Sequence, residues 1–340
     1  PSRRPVTFTF NGGPGSSSVW LHLGAFGPRR VVMDEEGFEL PPPYQLAENE
    51  FSLLDLTDLV FIDPVTTGYS RSAPGEDPQA FHGVTEDIES VGEFIRLYTT
   101  RHKRWASPKF LAGESYGTTR AAGLSGYLQT RHGIYLNGII LVSSILDFQT
   151  LLFDTGNDLP FILYLPSYAA AAWYHKQLAP DLQRDLEETL KKVEEFAAND
   201  YLLALWKGSQ LTEAERNKIA ERVAQYTGLD KEYVLQSNLR IKDTRFFKEL
   251  LRKQGRTTGR LDSRFTGFDA DSAGESIEFD PSMSAILGPY TATLNDYIRR
   301  DLEFSSDLPY EILTDRVQPW KFGPAENRYL NVAETLRKAI

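Results

Sequence analysis

Ser115 sits in Gly113-Glu114-Ser115-Tyr116-Gly117, a Gly-x-Ser-x-Gly segment. Small residues on both flanks permit a sharp turn that projects the serine hydroxyl from the end of a strand at the start of a helix. The pentapeptide alone arises by chance. Here an apolar run over 109–112 precedes it and a helical pattern from Thr118 follows, which makes Ser115 a candidate nucleophile for acyl transfer. The plain alternative is a turn serine bonded to its own backbone. A second segment, Asn11-Gly12-Gly13-Pro14-Gly15-Ser16-Ser17-Ser18, follows another apolar run. Its glycines allow a backbone path that points N–H groups into a cavity, as a tetrahedral oxyanion requires. No Lys-Ser or Lys-Thr closes the loop, so a phosphate cradle fits less well, and a simple Gly-Pro turn is the other reading.

These residues need a scaffold, and the first 150 residues supply one. Val6 to Phe10, Leu59 to Ile62, Lys109 to Ala112 and Gly138 to Val142 read as strands, the last too continuously apolar for one exposed face. A helix is predicted from Thr85, as cap, to Arg101, with Glu86 and Asp87 in its first turn and Ile88, Val91, Ile95 and Tyr98 on one stripe. A second is predicted over Thr118 to Arg131. Strand and helix in alternation indicate an α/β fold with a mainly parallel sheet. From about 150 to 260 the pattern turns helical, over Asp181–Ala198, Leu211–Thr227 with a capping box at Thr212-Glu213-Ala214-Glu215, and Tyr233–Lys253. Residues 255–282, rich in Gly, Ser and Asp, read as a loop. The expected organisation is a core over 1–150, a mainly helical cap over 151–285 and a return toward the core over 286–340.

Composition narrows the chemistry. The net charge is -10, from 37 basic against 47 acidic residues, without a basic cluster, which argues against nucleic acid as a partner. The chain has no cysteine, which removes disulfides, zinc-thiolate sites and thiol nucleophiles together. No apolar run approaches the ~18 residues that would suggest a membrane span. Asp269, Asp271, Gly274 and Asp280 partly imitate a calcium loop, but Ala273 stands at a ligand position, and the stretch reads better as a polar loop. Tyr290, Tyr297 and Tyr310 read as half-buried packing rather than a pocket lining.

Asn11 to Ser17, then Asp63-Pro64 with Gly68-Tyr69-Ser70, then Gly113 to Gly117, resemble the successive signatures of the serine carboxypeptidases. The resemblance covers about the first 145 residues. It implies an α/β-hydrolase fold with a helical cap insertion, needing no cofactor, that releases single residues from peptides with a free C terminus. It implies Ser115 as nucleophile, the backbone N–H groups of Gly13 and Tyr116 as oxyanion hole, and Asn11 and Glu114, with the Gly12 backbone, as the site for the terminal carboxylate. A carboxyl donates to a carboxylate only while protonated, so such a Glu114 favours acidic conditions or a raised pKa. Familiar members carry a second glutamate before a Gly-Pro pair, where Ala25 precedes Phe26-Gly27-Pro28 here. Thr118-Thr119-Arg120 replaces their small and aromatic residues, and Ser16 a disulfide-bonded cysteine. These departures point to a divergent, bacterial branch, with a periplasmic or secreted address favoured by resemblance only.

A serine hydroxyl needs a histidine to take its proton and an acid to orient that histidine. In α/β-hydrolases both follow the serine. Of the five histidines, His22, His82, His102, His132 and His175, only the last two do. His132 reads as a solvated loop residue and His175 as a structural or substrate-side residue of the cap. Asp147 fits the acid only if His175 is the base. The chain also opens without Met and closes on an uncapped helical pattern, Val332, Leu336 and Ile340. The expectation is therefore a chain cut at both ends, lacking the C-terminal strands that carry the acid and base, and inactive as it stands. Two other functions stay open, an esterase or acyltransferase on the same fold and a non-catalytic binding protein.

Overall fold

The computed structural model describes residues 3–323 and 329–339. Two compact units are present, one of Pro1–Phe148 with Gly288–Ile340, the other of Gln149–Leu287.

In the first unit four strands form one parallel sheet in the order Asp58–Phe61, Val6–Phe10, Lys109–Glu114, Gly138–Val142. Val6–Phe10 is buried along its whole length, and its register sets Phe10 beside Gly113, so the two glycine segments leave the sheet at the same end. Helices Val84–Arg101 and Tyr116–His132 pack on it, with Phe8, Leu111, Val91, Ile95, Leu124 and Leu128 in the core. Burying each such side chain contributes roughly 1.5–3 kcal/mol. At the opposite ends of the strands Arg104 bonds Asp58, the Ser107 hydroxyl and the Arg4 carbonyl, fixing where the strands begin.

Several expectations are corrected. The helix from 84 is entered through Gly83, with no side-chain cap, so Thr85 lies inside the helix. Glu86 and Asp87 do stand in the first turn, and Asp87, four residues before Val91 on the buried stripe, points inward. Gly138–Val142, expected to be covered on its faces, has no fully buried residue and leaves Ile140 38% exposed; it is an edge strand, with one strand neighbour among the described residues. An apolar run reports what covers the faces of a strand and is silent about its edges. His132 is not a loop residue either. It ends the helix from Tyr116, packs its ring edge-on to Tyr127, and leaves only 9% of its side chain exposed. An antiparallel pair, Arg29–Val31 with Leu46–Glu48, went unread in the sequence.

The second unit is mainly helical, over Leu159–Tyr174, Leu186–Phe196, Leu202–Lys207, Glu213–Thr227, Lys231–Gln236 and Asp243–Glu249. Phe161, Leu165, Tyr168, Val193, Val223 and Phe246 form its core, with Tyr168 stacked on Phe246 at 4.1 Å. The capping box forms as read: Thr212 Oγ1 accepts from the Glu215 N–H, and the Glu215 carboxylate accepts from the Thr212 N–H. The helix expected over 233–253 is broken, because Asn238 and Leu239 turn left-handed (φ 52° and 65°) and send Leu239 and Ile241 into the core. The expected loop over 255–282 contains a hairpin, Arg256–Thr258 with Thr266–Phe268. Its polar threonines hid their β-branched preference for strand; both Thr257 and Thr258 are fully buried.

Candidate active site

The strand Lys109–Glu114 ends in Ser115, whose φ of 56° and ψ of -128° lie outside the ordinary regions for a non-glycine residue. The turn is held on both sides. The Ser115 N–H donates to the Val142 carbonyl at 3.0 Å, and the Ser115 carbonyl accepts from the Thr118 N–H and hydroxyl at 2.8 and 2.7 Å. Tyr116 and Gly117 open the helix, so their N–H groups have no helical carbonyl to bond and face outward with the positive end of the dipole.

Gly12 lies against those amides. A Cβ built on it would stand 2.4 Å from the Tyr116 nitrogen, 2.7 Å from the Gly117 nitrogen and 2.8 Å from the Glu114 carbonyl oxygen. Gly13 and Gly15 follow with φ of 101° and 107°, which carries the chain away from the elbow along a path side chains resist. The loop and the elbow thus meet at backbone distance, an approach only glycine permits.

Asn11 and Glu114 also meet. Asn11 Nδ2 donates to Glu114 Oε2 at 2.9 Å, while Asn11 Oδ1 accepts from the Leu21 N–H at 3.0 Å. Asn11 is fully buried, Glu114 and Ser115 only partly. The structure therefore gathers Asn11, Gly12, Glu114, Ser115 and Tyr116 into one place, with Gly13 next along the loop. At Ala25 the backbone carbonyl accepts from Asn49 Nδ2 at 2.8 Å, and no carboxylate is offered. Nearby, Asp63 accepts from the Ser18 N–H and hydroxyl and from the Tyr310 hydroxyl at 2.8–2.9 Å, and burial pushes its carboxyl up. Tyr310 thus has a bonded role at the foot of the loop that its spacing did not reveal.

Among the described residues none hydrogen-bonds the Ser115 hydroxyl. His82 is fully buried and pairs its Nε2 with the Thr66 hydroxyl at 2.8 Å. His102 packs on Tyr98. His175 directs Nε2 at the Ser263 carbonyl, 2.6 Å away, which makes that nitrogen a donor rather than a base. Asp147 accepts from Asn331 Nδ2 at 2.8 Å. His22 stacks on Phe61 at 4.3 Å, and burial lowers its pKa from 6.5 to about 4. The folded state therefore holds His22 neutral. Its contribution is intact above pH 6.5 and is lost as pH falls toward 4, about 3 kcal/mol in all. In urea titrations at pH 7 and pH 4, wild type is expected to lose about that much more stability than His22→Phe; parallel losses would show the ring is not desolvated.

The strongest polar cluster was missed in the sequence. Arg120, 1% exposed, bonds Asp87, 2% exposed, and the Asn11 carbonyl, each at 2.7 Å. An arginine directly before Ala121-Ala122-Gly123, in the second turn of the helix that follows the elbow, was the available signal. No group of acidic or histidine side chains suited to a metal occurs among the described residues, and no described helix is long and apolar enough to cross a membrane.

The chain is similar to known proteins over part of its length. The chain is 29% identical over 150 residues to the pheromone-processing carboxypeptidase KEX1 of Yarrowia lipolytica, covering 43% of this chain and 22% of that protein. It is 30% identical over 115 residues to the serine-type carboxypeptidase F of Aspergillus niger, 33% of this chain and 19% of that protein. With the serine carboxypeptidase-like 16 of Arabidopsis thaliana it shares 27% over 159 residues, 44% and 35% of the two chains. The matched segments therefore span 19–35% of the length of these relatives. Among solved structures, the prohormone-processing carboxypeptidase Kex1(delta)p of Saccharomyces cerevisiae aligns over 66% of this chain and 45% of its own, with 21% identity and a TM-score of 0.37. Residues 1–266 match the family model for serine carboxypeptidase, Peptidase_S10, and the chain belongs to that family.

Proposed function

We propose that this chain carries the nucleophile and oxyanion half of a serine carboxypeptidase that releases C-terminal residues from peptides through an acyl-enzyme at Ser115. The observation that carries the reading is the backbone-distance approach of Gly12 to the amides of Tyr116 and Gly117, beside a serine held at φ 56°. Ser115 Oγ attacks the scissile carbonyl carbon, and the carbonyl oxygen becomes an oxyanion received by the N–H groups of Gly13 and Tyr116. Tyr116 suits this role because its N–H is free at the helix start, whereas the Ser115 N–H is already spent on Val142. Asn11 and Glu114, already bonded to each other, hold the terminal carboxylate of the substrate, with the Gly12 backbone beside them. Collapse of the oxyanion breaks the C–N bond and releases the C-terminal residue, whose nitrogen takes up the proton given up by the Ser115 hydroxyl. Water then adds to the acyl-enzyme, frees the shortened peptide as a carboxylic acid and returns the serine. The base and acid are assigned to no residue of this chain, since no described histidine engages Ser115.

The test uses the protein expressed from its complete gene. It is expected to release the last residue of an N-blocked peptide, to fail on the same peptide amidated at its C terminus, and to lose at least ~10⁴-fold in rate with Ser115→Ala. Turnover of simple esters alone would favour the esterase or acyltransferase. The 340-residue chain by itself is expected to release nothing; Ser115-dependent activity from it would bring Asp147 and His175 back as acid and base.

A further inference from the structure

Arg120 is the largest wholly buried side chain among the described residues. Its Nη1 donates to the Asn11 carbonyl and its Nε to Asp87 Oδ2, both at 2.7 Å. The guanidinium carbon lies 5.2 Å from the ring centres of Phe10 and of Tyr116. Asp87 Oδ2 accepts in addition from the Tyr116 hydroxyl at 3.2 Å. One guanidinium therefore grips the backbone immediately before Gly12 and Gly13, and its counter-ion grips the side chain of the residue immediately after Ser115.

A buried ion pair is a poor device for stability, because desolvating two charges offsets most of their attraction and packed apolar residues do as well. It is a good device for fixing a distance. The planar fork of arginine holds two acceptors at set angles, which neither lysine nor an apolar side chain can do. We propose that the Arg120–Asp87 pair is a positioning unit that locks the glycine loop to the serine elbow and so sets the separation of the Gly13 and Tyr116 N–H groups. The naming of those two groups rests on the carboxypeptidase reading above; the locking of loop to elbow does not. Misplacing preorganised donors by about 1 Å costs on the order of 10²-fold in rate, so the lock has a kinetic signature.

The same unit contains its own control. Arg104 is also a buried, ion-paired arginine, though its partner Asp58 is 36% exposed, and it binds at the opposite ends of the same strands. Hydrogen exchange over residues 11–18 and 115–120, and the rate of fluorophosphonate capture at Ser115, are measured in the complete protein well below each melting temperature. Arg120→Met is expected to speed exchange in those two segments at least ~10-fold beyond any global change and to slow capture ~100-fold, with Arg120→Lys intermediate. Arg104→Met is expected to lower the melting temperature and do neither. Should Arg120→Met fail to fold, the near-isosteric Asp87→Asn carries the same comparison. Exchange and capture that merely follow global stability, as in Arg104→Met, would overturn the proposal. Selective loosening of the two segments in Arg120→Met, with no fluorophosphonate captured even by wild type, would support the lock and sink the nucleophile reading instead.

Discussion

Gly12→Ala is expected to destabilise the chain by about 3 kcal/mol and to slow acylation of Ser115 by more than ~10²-fold. The added methyl would stand 2.4 Å from the Tyr116 nitrogen, 2.7 Å from the Gly117 nitrogen and 2.8 Å from the Glu114 oxygen. All three are backbone atoms, so no rotamer change relieves the contact; either the loop or the elbow must move. The elbow resists, because Ser115 is bonded to Val142 on one side and to Thr118 on the other. The loop resists too, because Asn11 is held by Glu114, Leu21 and Arg120. Movement at either place takes an N–H group away from the position an oxyanion would occupy. The comparison substitution is Gly133→Ala, at a helix end with φ 63° and nothing within 4 Å of the new methyl. It carries only the left-handed backbone penalty, about 1 kcal/mol, and no change in acylation. Urea unfolding and fluorophosphonate capture measure both quantities. A Gly12→Ala protein as stable and as reactive as Gly133→Ala would mean that the loop does not press on the elbow.

What the sequence disclosed follows the range of the interactions. The elbow, the glycine loop, the four strands and the capping box at Thr212 depend on residues within a few positions of one another, and periodicity reads such features directly. The bonds that assemble the site do not. Asn11 and Glu114 are 103 residues apart, Arg120 and Asp87 are 33, and Asp63 and Tyr310 are 247. Nothing in spacing announces those partners; family resemblance placed Asn11 and Glu114 at one carboxylate site, but all three bonds came only from the fold. Asp87 shows how a local rule misleads, since an acid near a helix start suits the dipole equally well whether it faces water or Arg120. His22 shows a second limit. Its position says nothing of burial, yet its buried neutral ring ties stability to pH, with the contribution intact above pH 6.5 and lost as pH falls toward 4.

Lys248→Met is expected to destabilise the helical unit by about 3–5 kcal/mol. Lys248 and Asp269 are 3% and 4% exposed, and Lys248 Nζ donates to Asp269 Oδ2 at 2.6 Å and to the Asp271 carbonyl at 2.7 Å. The stretch that partly imitated a calcium loop is thus tied down by an ammonium group. Asp271 accepts from the Ala273 and Gly274 N–H groups, and Asp280 from the Ser282 N–H and hydroxyl, so the carboxylates are used in turns. Methionine fills the space of the lysine stem but leaves Asp269 buried without a cation, and Asp269 Oδ1 already has no hydrogen-bond partner. The double change Lys248→Met with Asp269→Leu removes both charges and is expected to recover at least half of the loss, because the penalty lies in the orphaned carboxylate more than in the missing attraction. Urea midpoints for the two singles and the double close the cycle. Strictly additive losses would show that Lys248 and Asp269 act separately, and that the loop is held by its turns rather than by the pair.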